Sequence, residues 1–547
     1  MDTTSCAKLT KAIFPRDLFS PEALEEKYPP RALPEGAAVT RFAPSPTGFL
    51  HIGGLYGALT DRLTAGRDGV FFLRMEDTDK KREVADGVTG IVEGLRAFGV
   101  AIDEGVTGFG TETGAYGPYT QSRRKEIYHT YAKQLLEQNL AYPCFCTAEE
   151  LTALRDTQEQ AGVNKGYYGS WAKCRNLPLE EQLRRVEDGE PYTLRLRSPG
   201  DAGRKIIVND IIRGKMELPE YDMDVVLLKA DGIPTYHLAH VVDDHLMRTT
   251  HVIRGEEWVA SLPLHVQLFG LLGFKPPKYA HYAAVMKLDP ETGGKRKLSK
   301  RKDPEAATSY YAQQGYPAAA VQEYLLTLLN SNFEEWRRAN PDRALGEFPF
   351  SLKKLSASGS LFDLQKLEDV SKNVISRMSA REVYEQALAW ANTYDLALAA
   401  LLSRDEDYAL AVFSIDRGNK KPRKDIARWN QAKEFYAYFF DELFTPRQSP
   451  APEILSAYLS VYSAADDKDA WFAKIKSICG PLGYCPDVKA YKAEPAAWKG
   501  HVGDVSGIIR AAVTGRENTP DLWAIMRTLG EDRVKERLEA ATAAANK

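Results

Sequence analysis

Roughly the first three hundred residues alternate between short apolar runs and stretches of helical periodicity. Val39–Phe42, Val70–Met75 and Asp224–Leu228 combine β-branched, aromatic and leucine residues, which predicts buried strands. After Ile52 and after Pro263, apolar residues recur at helical spacing. Beyond about residue 317 strand patterns nearly vanish, and the remaining sequence predicts alanine-rich helices.

A loop rich in proline joins the first predicted strand to the first long helix. The segment Arg41–Gly54 reads RFAPSPTGFLHIGG, and Pro44, Pro46 and Gly48 exclude regular structure there. A helix that starts after such a loop offers a phosphate its free N–H groups and the positive end of its dipole. His51 stands at this point and can donate to a phosphate oxygen. An ordinary turn with a satisfied histidine explains the loop equally well.

Composition indicates a globular protein of several domains. The 547 residues exceed one ordinary core, and 44% hydrophobic with 27% charged residues is typical of soluble chains. Because the formal net charge is only -3, nucleic-acid contacts must come from local basic clusters. No apolar run is long enough to span a bilayer, and residues 1–35 match neither a secretory nor a transit signal. The six cysteines are too few for a disulfide scaffold, so we expect a cytoplasmic protein without membrane contact.

A second, glycine-hinged segment is strongly basic. Lys295–Lys302 reads KRKLSKRK and follows Gly293 and Gly294. Alone, it is typical of a solvated charge run or a general nucleic-acid patch. Taken together, however, Arg41–Gly54 and Lys297–Arg301 resemble the two signature motifs of class I aminoacyl-tRNA synthetases, usually written HIGH and KMSKS. The wording RFAPSPTG with KLSKR is similar to the glutamyl-tRNA synthetase family of bacterial type, and the resemblance covers nearly the whole chain.

This resemblance implies an α/β fold with six domains. A Rossmann-like class I catalytic domain would carry an inserted α+β acceptor-stem domain and be followed by an all-α C-terminal anticodon-binding region. The expected ranges are an N-terminal extension at 1–36, the two catalytic halves at 37–135 and 223–302, the inserted domain at 136–222, a helical junction at 303–370 and the anticodon-binding domain at 371–547.

The resemblance also assigns an ATP site to the two motifs. His51, Lys297 and Lys300 are expected to carry catalysis by stabilising charge on the phosphates, with Lys300 as the most important. Gly54 stands where the class has its second histidine, so one donor is missing relative to the strict motif. The full set of expected ATP contacts is Thr47, His51, Gly53, Gly54, Glu257, Lys297, Leu298, Ser299 and Lys300.

Two arginines and one acid predict an amino-acid pocket. A guanidinium pairs with a carboxylate in a planar geometry that lysine cannot copy. An acidic amino acid needs cations for its carboxylates, here Arg41 and Arg254, and an anion for its ammonium, here Glu76. The competing interpretation pairs Arg254 with Glu256 or Glu257. With the residues that the resemblance adds, the expected substrate set is Arg41, Ala43, Ser45, Glu76, Tyr236, Arg254 and, in place of the asparagine of many relatives, His240.

Three cysteines have a spacing that can hold a metal ion. Cys144 and Cys146 form a CxC pair that can face one ion, and Cys174 follows about thirty residues later. The resemblance completes a structural zinc site with a tyrosine, for which we predict Tyr168. Three small apolar thiols without metal are the alternative.

A basic stretch in the helical region is a candidate tRNA contact. Lys420, Lys421, Arg423, Lys424 and Arg428 crowd into nine residues, a density that suits an RNA backbone. The alternative is a solvated helix face.

The function implied by the resemblance is ligation in two steps. ATP with Mg²⁺ would activate L-glutamate as glutamyl-adenylate and release pyrophosphate, and the 3′-terminal adenosine of tRNA(Glu) would then accept the acyl group. We expect a monomer. The alternatives are an enzyme that also charges tRNA(Gln), a glutaminyl-tRNA synthetase with a β-barrel anticodon end, a nucleotidyltransferase of the HxGH type, and a non-catalytic tRNA-binding relative.

Overall fold

The computed structural model describes residues 3–79, 84, 86–299, 301–420 and 422–543. They divide into two compact units, one of Met1–Ser309 with Leu325–Asp363 and one of Tyr310–Tyr324 with Leu364–Lys547. The six predicted domains stay a prediction, because this division separates only two units.

All strands found in the described residues belong to the first unit. In chain order they are β1 (Val39–Phe42), β2 (Val70–Leu73), β3 (Glu104–Gly108), β4 (Thr111–Thr113), β5 (Ala141–Cys144), β6 (Thr193–Leu196), β7 (Lys205–Asp210), β8 (Gly214–Pro219), β9 (Val226–Leu228), β10 (His251–Gly255), β11 (Lys278–Tyr282), β12 (Met286–Leu288) and β13 (Lys295–Lys297). The three buried strands predicted from the sequence are confirmed as β1, β2 and β9, the last two each two residues shorter than expected.

A parallel arrangement surrounds β1. Strand β1 pairs in parallel with β2, β2 pairs in parallel with β3, and β10 pairs in parallel with β11. The Thr250 N–H, just before β10, donates to the Val39 oxygen at 2.9 Å, and Arg41 reaches the Ile253 oxygen, so β1 and β10 run side by side in the same direction. The carboxyl ends of these strands therefore meet at one edge, where open α/β sheets bind ligands.

Three smaller sheet regions complete the first unit. Strands β5, β6 and β9 form an antiparallel sheet, and β12 and β13 form a hairpin that ends in the basic KLSKR segment. The β7–β8 hairpin joins the parallel strands β10 and β11 at one point, where Asp210 pairs with Tyr279 of β11. This single junction brings a residue of the predicted inserted domain to the edge of the catalytic strands.

Helices cover the strands of the first unit. They are α1 (Thr3–Ile13), α2 (Pro21–Lys27), α3 (Ile52–Ala65), α4 (Gly87–Ala97), α5 (Lys125–Glu137), α6 (Ala148–Gln160), α7 (Leu179–Glu187), α8 (Tyr236–Leu246) and α9 (Leu262–Leu271). Helices α10 (Thr308–Gln314) and α11 (Ala318–Leu329) include residues of both units, and α12 (Phe333–Ala339) belongs to the first.

The second unit is helical, as predicted. Its remaining helices are α13 (Leu364–Arg377), α14 (Ala380–Tyr394), α15 (Leu396–Arg404), α16 (Glu406–Ser414), α17 (Ala432–Phe435), α18 (Pro452–Val461), α19 (Lys468–Cys479), α20 (Val488–Ala493), α21 (Val502–Thr514), α22 (Leu522–Leu529) and α23 (Glu531–Ala543). Apolar residues at helical spacing, such as Val505, Ile509 and Val513 of α21, meet in one core. The described part of this unit contains no strand, which disagrees with a β-barrel anticodon end.

None of the helices in the described residues is both long enough and apolar enough to cross a bilayer.

Candidate active site

The loop between β1 and α3 presents a helix start, as predicted. His51 is the N-cap of α3, and its Nδ1 accepts a hydrogen bond from the Gly53 N–H at 2.9 Å. Because Nδ1 accepts, the proton of the neutral ring lies on Nε2, where it can donate to an anion. A Cβ on Gly53 would lie 3.2 Å from His51 Nδ1, and one on Gly54 would lie 3.1 Å from Leu50. Glycine at both positions leaves their side of the first turn of α3 without side chains.

The two signature segments line one cavity of about 250 Å³. Its walls are His51, Gly53, Gly54, Tyr56, Glu257, Tyr282, Ala284, Val285, Lys297 and Leu298, so six of the nine residues predicted to contact ATP are there. Thr47 and Ser299 are not part of this lining, and Lys300 lies outside the described residues. The cavity places the helix start and the basic segment on either side of a space that can hold phosphates.

The cation in this cavity is exposed. Lys297 Nζ lies 3.7 Å from Glu257 Oε1, and the two side chains are 62% and 54% exposed. The next residue, Leu298, is buried, and its N–H donates to the Val285 oxygen at 3.2 Å. The hairpin is thus anchored directly behind a lysine whose ammonium group remains in solvent.

A buried cluster of charges occupies the carboxyl ends of β1 and β2. Arg41 Nε lies 3.2 Å from both oxygens of Asp244, and Arg74 Nη1 donates to the same carboxylate at 2.7 Å. Arg74 Nη2 donates to Glu76 at 3.1 Å. Burial raises the pKa of Glu76 to about 7, although Arg74 favours its charged form. Burial also opposes the charge of Asp244, but Arg41 and Arg74 hold the pKa of this carboxyl well below its usual range.

Arg254, at the end of β10, is a buried cation whose polar contacts are to uncharged groups. Its Nε donates to His281 Nε2 at 2.9 Å, and its Nη1 lies 3.2 Å from His265 Nδ1 and 3.3 Å from the Tyr236 hydroxyl. The Nη2 atom is buried and has no hydrogen-bond partner in the described part of the chain. The competing interpretation is wrong, because Glu256 pairs with Arg213 and Glu257 with Lys297.

Aromatic rings form the wall beside Arg254. The Tyr236 ring stacks on His240 with 5.5 Å between centroids, and the centroid of the Trp258 ring lies 4.3 Å from that of Tyr236. His240 Nδ1 is 2.7 Å from Asp244 Oδ2. Burial lowers the pKa of His240 to about 3, so the ring is neutral at physiological pH. The residue predicted in place of an asparagine therefore adds no charge to the pocket.

The loop after β1 also reaches this pocket. The Glu76 N–H donates to the Pro44 oxygen at 3.0 Å, which brings the neighbouring Ala43 and Ser45 beside Glu76. Ala43 is half-buried and Ser45 is exposed. All seven residues predicted to contact the substrate thus lie in or next to one connected set of contacts.

Several members of this pocket were not predicted from the sequence. Arg74, Asp243 and Asp244 are fully buried, and Arg124 donates to Asp243 at 2.7 Å. A signal was available, because Arg74 interrupts the apolar run Val70–Met75, and Asp243 and Asp244 interrupt the apolar pattern of α8. Charged residues inside otherwise buried patterns are nearly always paired.

The three cysteines come together, with a different tyrosine from the one predicted. The sulfurs of Cys144, Cys146 and Cys174 all lie within 4.8 Å of one another. The hydroxyl of Tyr167 lies 3.4 Å from Cys144 Sγ and 3.2 Å from Cys146 Sγ. Tyr168 was the wrong choice, because its hydroxyl donates to the Asn164 oxygen at 2.7 Å. The backbone is extended at this point, so adjacent side chains point to opposite sides.

The basic stretch of the second unit is irregular rather than helical. Arg423 pairs with Asp425 at 2.8 Å and Arg428 with Glu368 at 3.1 Å, so both guanidiniums have partners within the chain. Lys420 and Lys424 are exposed, and Lys421 lies outside the described residues. The stretch is therefore not a helix face, although Lys420 and Lys424 are solvated, and the tRNA contact stays a prediction.

Comparisons with known proteins agree with this geometry. Residues 37–369 match the family model for the catalytic domain of class I tRNA synthetases (E and Q), and residues 496–542 match an anticodon-binding domain. A glutamate--tRNA ligase of Acetivibrio thermocellus is 51% identical over 97% of this chain and 99% of its own length. One of Clostridium perfringens is 49% identical over 98% of this chain and 100% of its own length.

A solved structure shows the same fold. The glutamate tRNA ligase of Elizabethkingia meningosepticum, crystallised in complex with its amino acid, aligns with a TM-score of 0.74 at 28% identity. The alignment covers 93% of this chain and all of that one. Because the family model covers residues 37–369 and relatives about 50% identical span nearly the whole chain, this chain belongs to the class I aminoacyl-tRNA synthetases, in the family of glutamate--tRNA ligases.

Proposed function

We propose that this protein ligates L-glutamate to tRNA(Glu). The observation that carries the proposal is the state of Arg254, a buried guanidinium with neutral neighbours and one nitrogen left unpaired. A buried charge without a counter-ion is costly, and binding of an anionic ligand relieves that cost. The side-chain carboxylate of glutamate supplies the missing anion, whereas the amide of glutamine does not.

The remaining charges of the pocket orient the rest of the amino acid. Glu76, held by Arg74, accepts the α-ammonium group. Arg41 adds a second cation, but Asp244 already shares its charge. A partly neutralised cation suits the neighbourhood of the α-carboxylate, because that group must remain nucleophilic enough to attack ATP.

Activation takes place in the cavity between the two signature segments. An oxygen of the α-carboxylate attacks the α-phosphorus of ATP, the bond to the bridging oxygen breaks, and pyrophosphate leaves with the electron pair. His51 Nε2–H, the positive end of the α3 dipole and Lys297 stabilise the charge on the phosphate oxygens. Lys300 is assigned the same role from the motif alone. Mg²⁺ bound to the triphosphate would neutralise part of its charge.

Transfer completes the reaction. The 2′-hydroxyl of the terminal adenosine attacks the acyl carbon, AMP leaves with the electrons of the mixed anhydride bond, and the hydroxyl proton passes to the departing phosphate. The match of residues 496–542 to an anticodon-binding domain supports tRNA as the acceptor. Lys420 and Lys424 offer exposed cations to its backbone.

We also propose a structural zinc ion held by Cys144, Cys146, Cys174 and Tyr167. Four ligands at the Zn–S distance of about 2.3 Å stand about 3.8 Å apart in a tetrahedron. The sulfurs of Cys146 and Cys174 are 3.7 Å apart, and the phenol oxygen approaches two sulfurs within 3.4 Å. The donor set therefore fits zinc, whose role here is to hold the ends of β5 and the Tyr167 segment together.

A substrate survey tests the proposal. ATP–pyrophosphate exchange is measured with glutamate, glutamine and aspartate, each with and without tRNA, and aminoacylation is measured on tRNA(Glu) and tRNA(Gln). Of the three amino acids, we expect only glutamate to support exchange. We expect its transfer to tRNA(Glu). Exchange with glutamine instead of glutamate would overturn the role of Arg254. No exchange under any condition would favour a tRNA-binding protein without catalysis.

A further inference from the structure

Arg254 is held by a chain of hydrogen bonds that reaches into the β7–β8 hairpin. Its Nε donates to His281 Nε2 at 2.9 Å, and His281 Nδ1 lies 2.7 Å from Asp210 Oδ2. Asp210 and His281 are 4% and 0% exposed, so solvent does not take part. None of the sequence motifs pointed to either residue.

The direction of these hydrogen bonds fixes the tautomer of His281. A guanidinium has donors only, so the histidine nitrogen that faces Arg254 must carry the lone pair. The ring proton therefore lies on Nδ1 and is donated to Asp210. A doubly protonated ring is excluded as well, because it would set two N–H groups against each other. Burial, acting against the favourable contact with Asp210, lowers the pKa of His281 in agreement with a neutral ring.

The same reasoning orders a second branch. Arg254 Nη1 lies 3.2 Å from His265 Nδ1, which must therefore accept. The proton of His265 then lies on Nε2 and is donated to His237 Nδ1 at 3.0 Å. Three histidines around Arg254 thus have defined tautomers, and none of them brings a charge that competes with an incoming carboxylate.

Asp210 is the anionic end of the first branch, and its own position is fixed. Its Oδ1 accepts from the N–H groups of Ile212 and Arg213, both at 2.9 Å, and its Oδ2 also accepts from the His281 N–H at 3.0 Å. Arg213 in turn donates to the His281 oxygen at 3.1 Å. The turn between β7 and β8 is thereby fastened to β11 at the position of His281.

We infer that Asp210 and His281 are positioning residues that aim the unpaired Nη2 of Arg254 at the side-chain carboxylate of the amino-acid substrate. Asp210 polarises the imidazole, which makes its Nε2 a stronger acceptor for the guanidinium and prevents rotation about the end of the arginine side chain. This inference rests on the proposed function, and it places a specificity determinant on the hairpin of the predicted inserted domain rather than in the two signature motifs.

The substitution Asp210→Asn tests the direction of the hydrogen bonds from Arg254 through His281 to Asp210. An asparagine has one acceptor oxygen, which the turn amides of Ile212 and Arg213 will occupy, and its NH₂ group then faces His281. The histidine must change tautomer and present an N–H to Arg254. We expect the KM for glutamate to rise about 10- to 100-fold, the scale of one hydrogen bond to a charged group, with the KM for ATP unchanged.

A matched pair at position 281 separates positioning from packing. His281→Gln keeps one acceptor and one donor, and His281→Met has a similar volume without either. We expect the glutamine variant to retain a KM for glutamate within about fivefold of the parent and the methionine variant to match Asp210→Asn. Equal KM values in the two variants would show that His281 only fills space.

A spectroscopic readout does not depend on turnover. In the full chain labelled with ¹⁵N-histidine, the nitrogen shifts of His281, one of nine histidines, identify its tautomer, and His281→Gln assigns the signal. We expect the Nδ1–H form in the parent from pH 6 to 8 and the Nε2–H form in Asp210→Asn. An Nε2–H form in the parent would overturn the inference.

A control variant excludes general damage to the same part of the chain. Asp224→Asn removes another buried carboxylate, which accepts from the Tyr142 hydroxyl at 2.6 Å and the Ser198 N–H at 2.8 Å. We expect it to leave the KM for glutamate unchanged. If Asp210→Asn leaves this KM unchanged, or raises the KM for ATP equally, the positioning role is wrong. If the parent does not activate glutamate, the proposed function is wrong. The tautomer of His281 still tests its hydrogen bond to Asp210 in that case.

Discussion

The amino-acid pocket and the nucleotide cavity treat their charges in opposite ways. In the pocket, Arg41, Glu76 and Arg254 are 3%, 8% and 6% exposed, and each is held by hydrogen bonds to buried neighbours. In the cavity, Lys297 and Glu257 are more than half exposed and lie 3.7 Å apart. The charged groups of the amino-acid pocket are thus held in place without a ligand, whereas the cation of the nucleotide cavity is exposed to solvent.

This difference matches what each region has to recognise. A buried charge interacts strongly because little water screens it, so the pocket can distinguish a carboxylate from an amide of the same shape. An exposed ion pair is worth about 0–1 kcal/mol, so Lys297 can leave Glu257 at little cost when a triphosphate arrives. Selectivity therefore comes from fixed groups, and charge stabilisation comes from a group free to follow the phosphates.

The largest expected effect separates the two regions by kinetics. Arg254→Leu should lower kcat/KM for glutamate on the order of 10³-fold, mainly through KM, because a buried ion-pairing partner is lost. Lys297→Ala should lower kcat about 100-fold with little change in the KM for glutamate, the scale of one donor to a developing charge. Steady-state kinetics of both variants, with glutamate and ATP varied in turn, measure this split.

Conservative variants sharpen the same test. Arg254→Lys keeps the charge but not the planar pair of donors, so it should restore little of the loss. Lys297→Arg keeps a flexible cation in solvent, so it should retain most of the kcat that Lys297→Ala loses. If Arg254→Lys and Lys297→Arg recover the same fraction of the lost activity, the geometry of the cation matters no more in the pocket than in the cavity.

A smaller effect should follow from the pKa of Glu76. With this pKa at about 7, the carboxyl becomes neutral below pH 7 and loses its attraction for the substrate ammonium. We expect kcat/KM for glutamate to fall about tenfold between pH 8 and pH 6, and glutamate binding at pH 7 to release about half a proton. Calorimetry in buffers of different ionisation enthalpy counts that proton.

Stability without substrate should change in the opposite direction. The folded pKa of Glu76 lies above its ordinary value of 4.5, so its contribution to stability is complete below pH 4.5 and is lost as the pH rises through 7. Glu76→Gln removes this dependence and should stabilise the protein at pH 8 by about 3 kcal/mol while abolishing glutamate binding. A variant less stable than the parent at pH 8 would show that the contact with Arg74 outweighs the burial that raises the pKa of this carboxyl.

The parts of the site that the sequence predicted are those fixed by local chain geometry. The proline-rich loop, the glycines and the start of α3 lie within fourteen residues of one another, and the structure has them as expected. The same holds for the helical second unit, where apolar spacing along each helix is a local signal. Arg41 and Arg254 were found because the motifs carry them.

What the sequence could not supply were contacts between distant segments. Asp210 meets His281 across 71 residues, and Arg74 meets Asp244 across 170. No periodicity links such positions, since the pairing depends on which strands become neighbours. The choice between Tyr167 and Tyr168 failed for another reason. Adjacent residues in extended backbone point to opposite sides, and the sequence does not say which side faces the cysteines.

The cysteine cluster tests whether a prebuilt site can leave catalysis almost untouched, which is the smallest effect we expect on activity. Purified protein should contain one zinc ion per chain. Tyr167→Phe should weaken zinc retention against a chelator at least 10- to 100-fold and lower the melting temperature by about 3 °C, with kcat within about twofold of the parent. Tyr168→Phe is the matched control, because its hydroxyl donates to the Asn164 oxygen at 2.7 Å on the side away from the cysteines. Equal zinc loss from the two variants, or no zinc in the parent, would remove Tyr167 from the site, whereas a large fall in kcat would mean that this cluster acts on the amino-acid pocket or the nucleotide cavity.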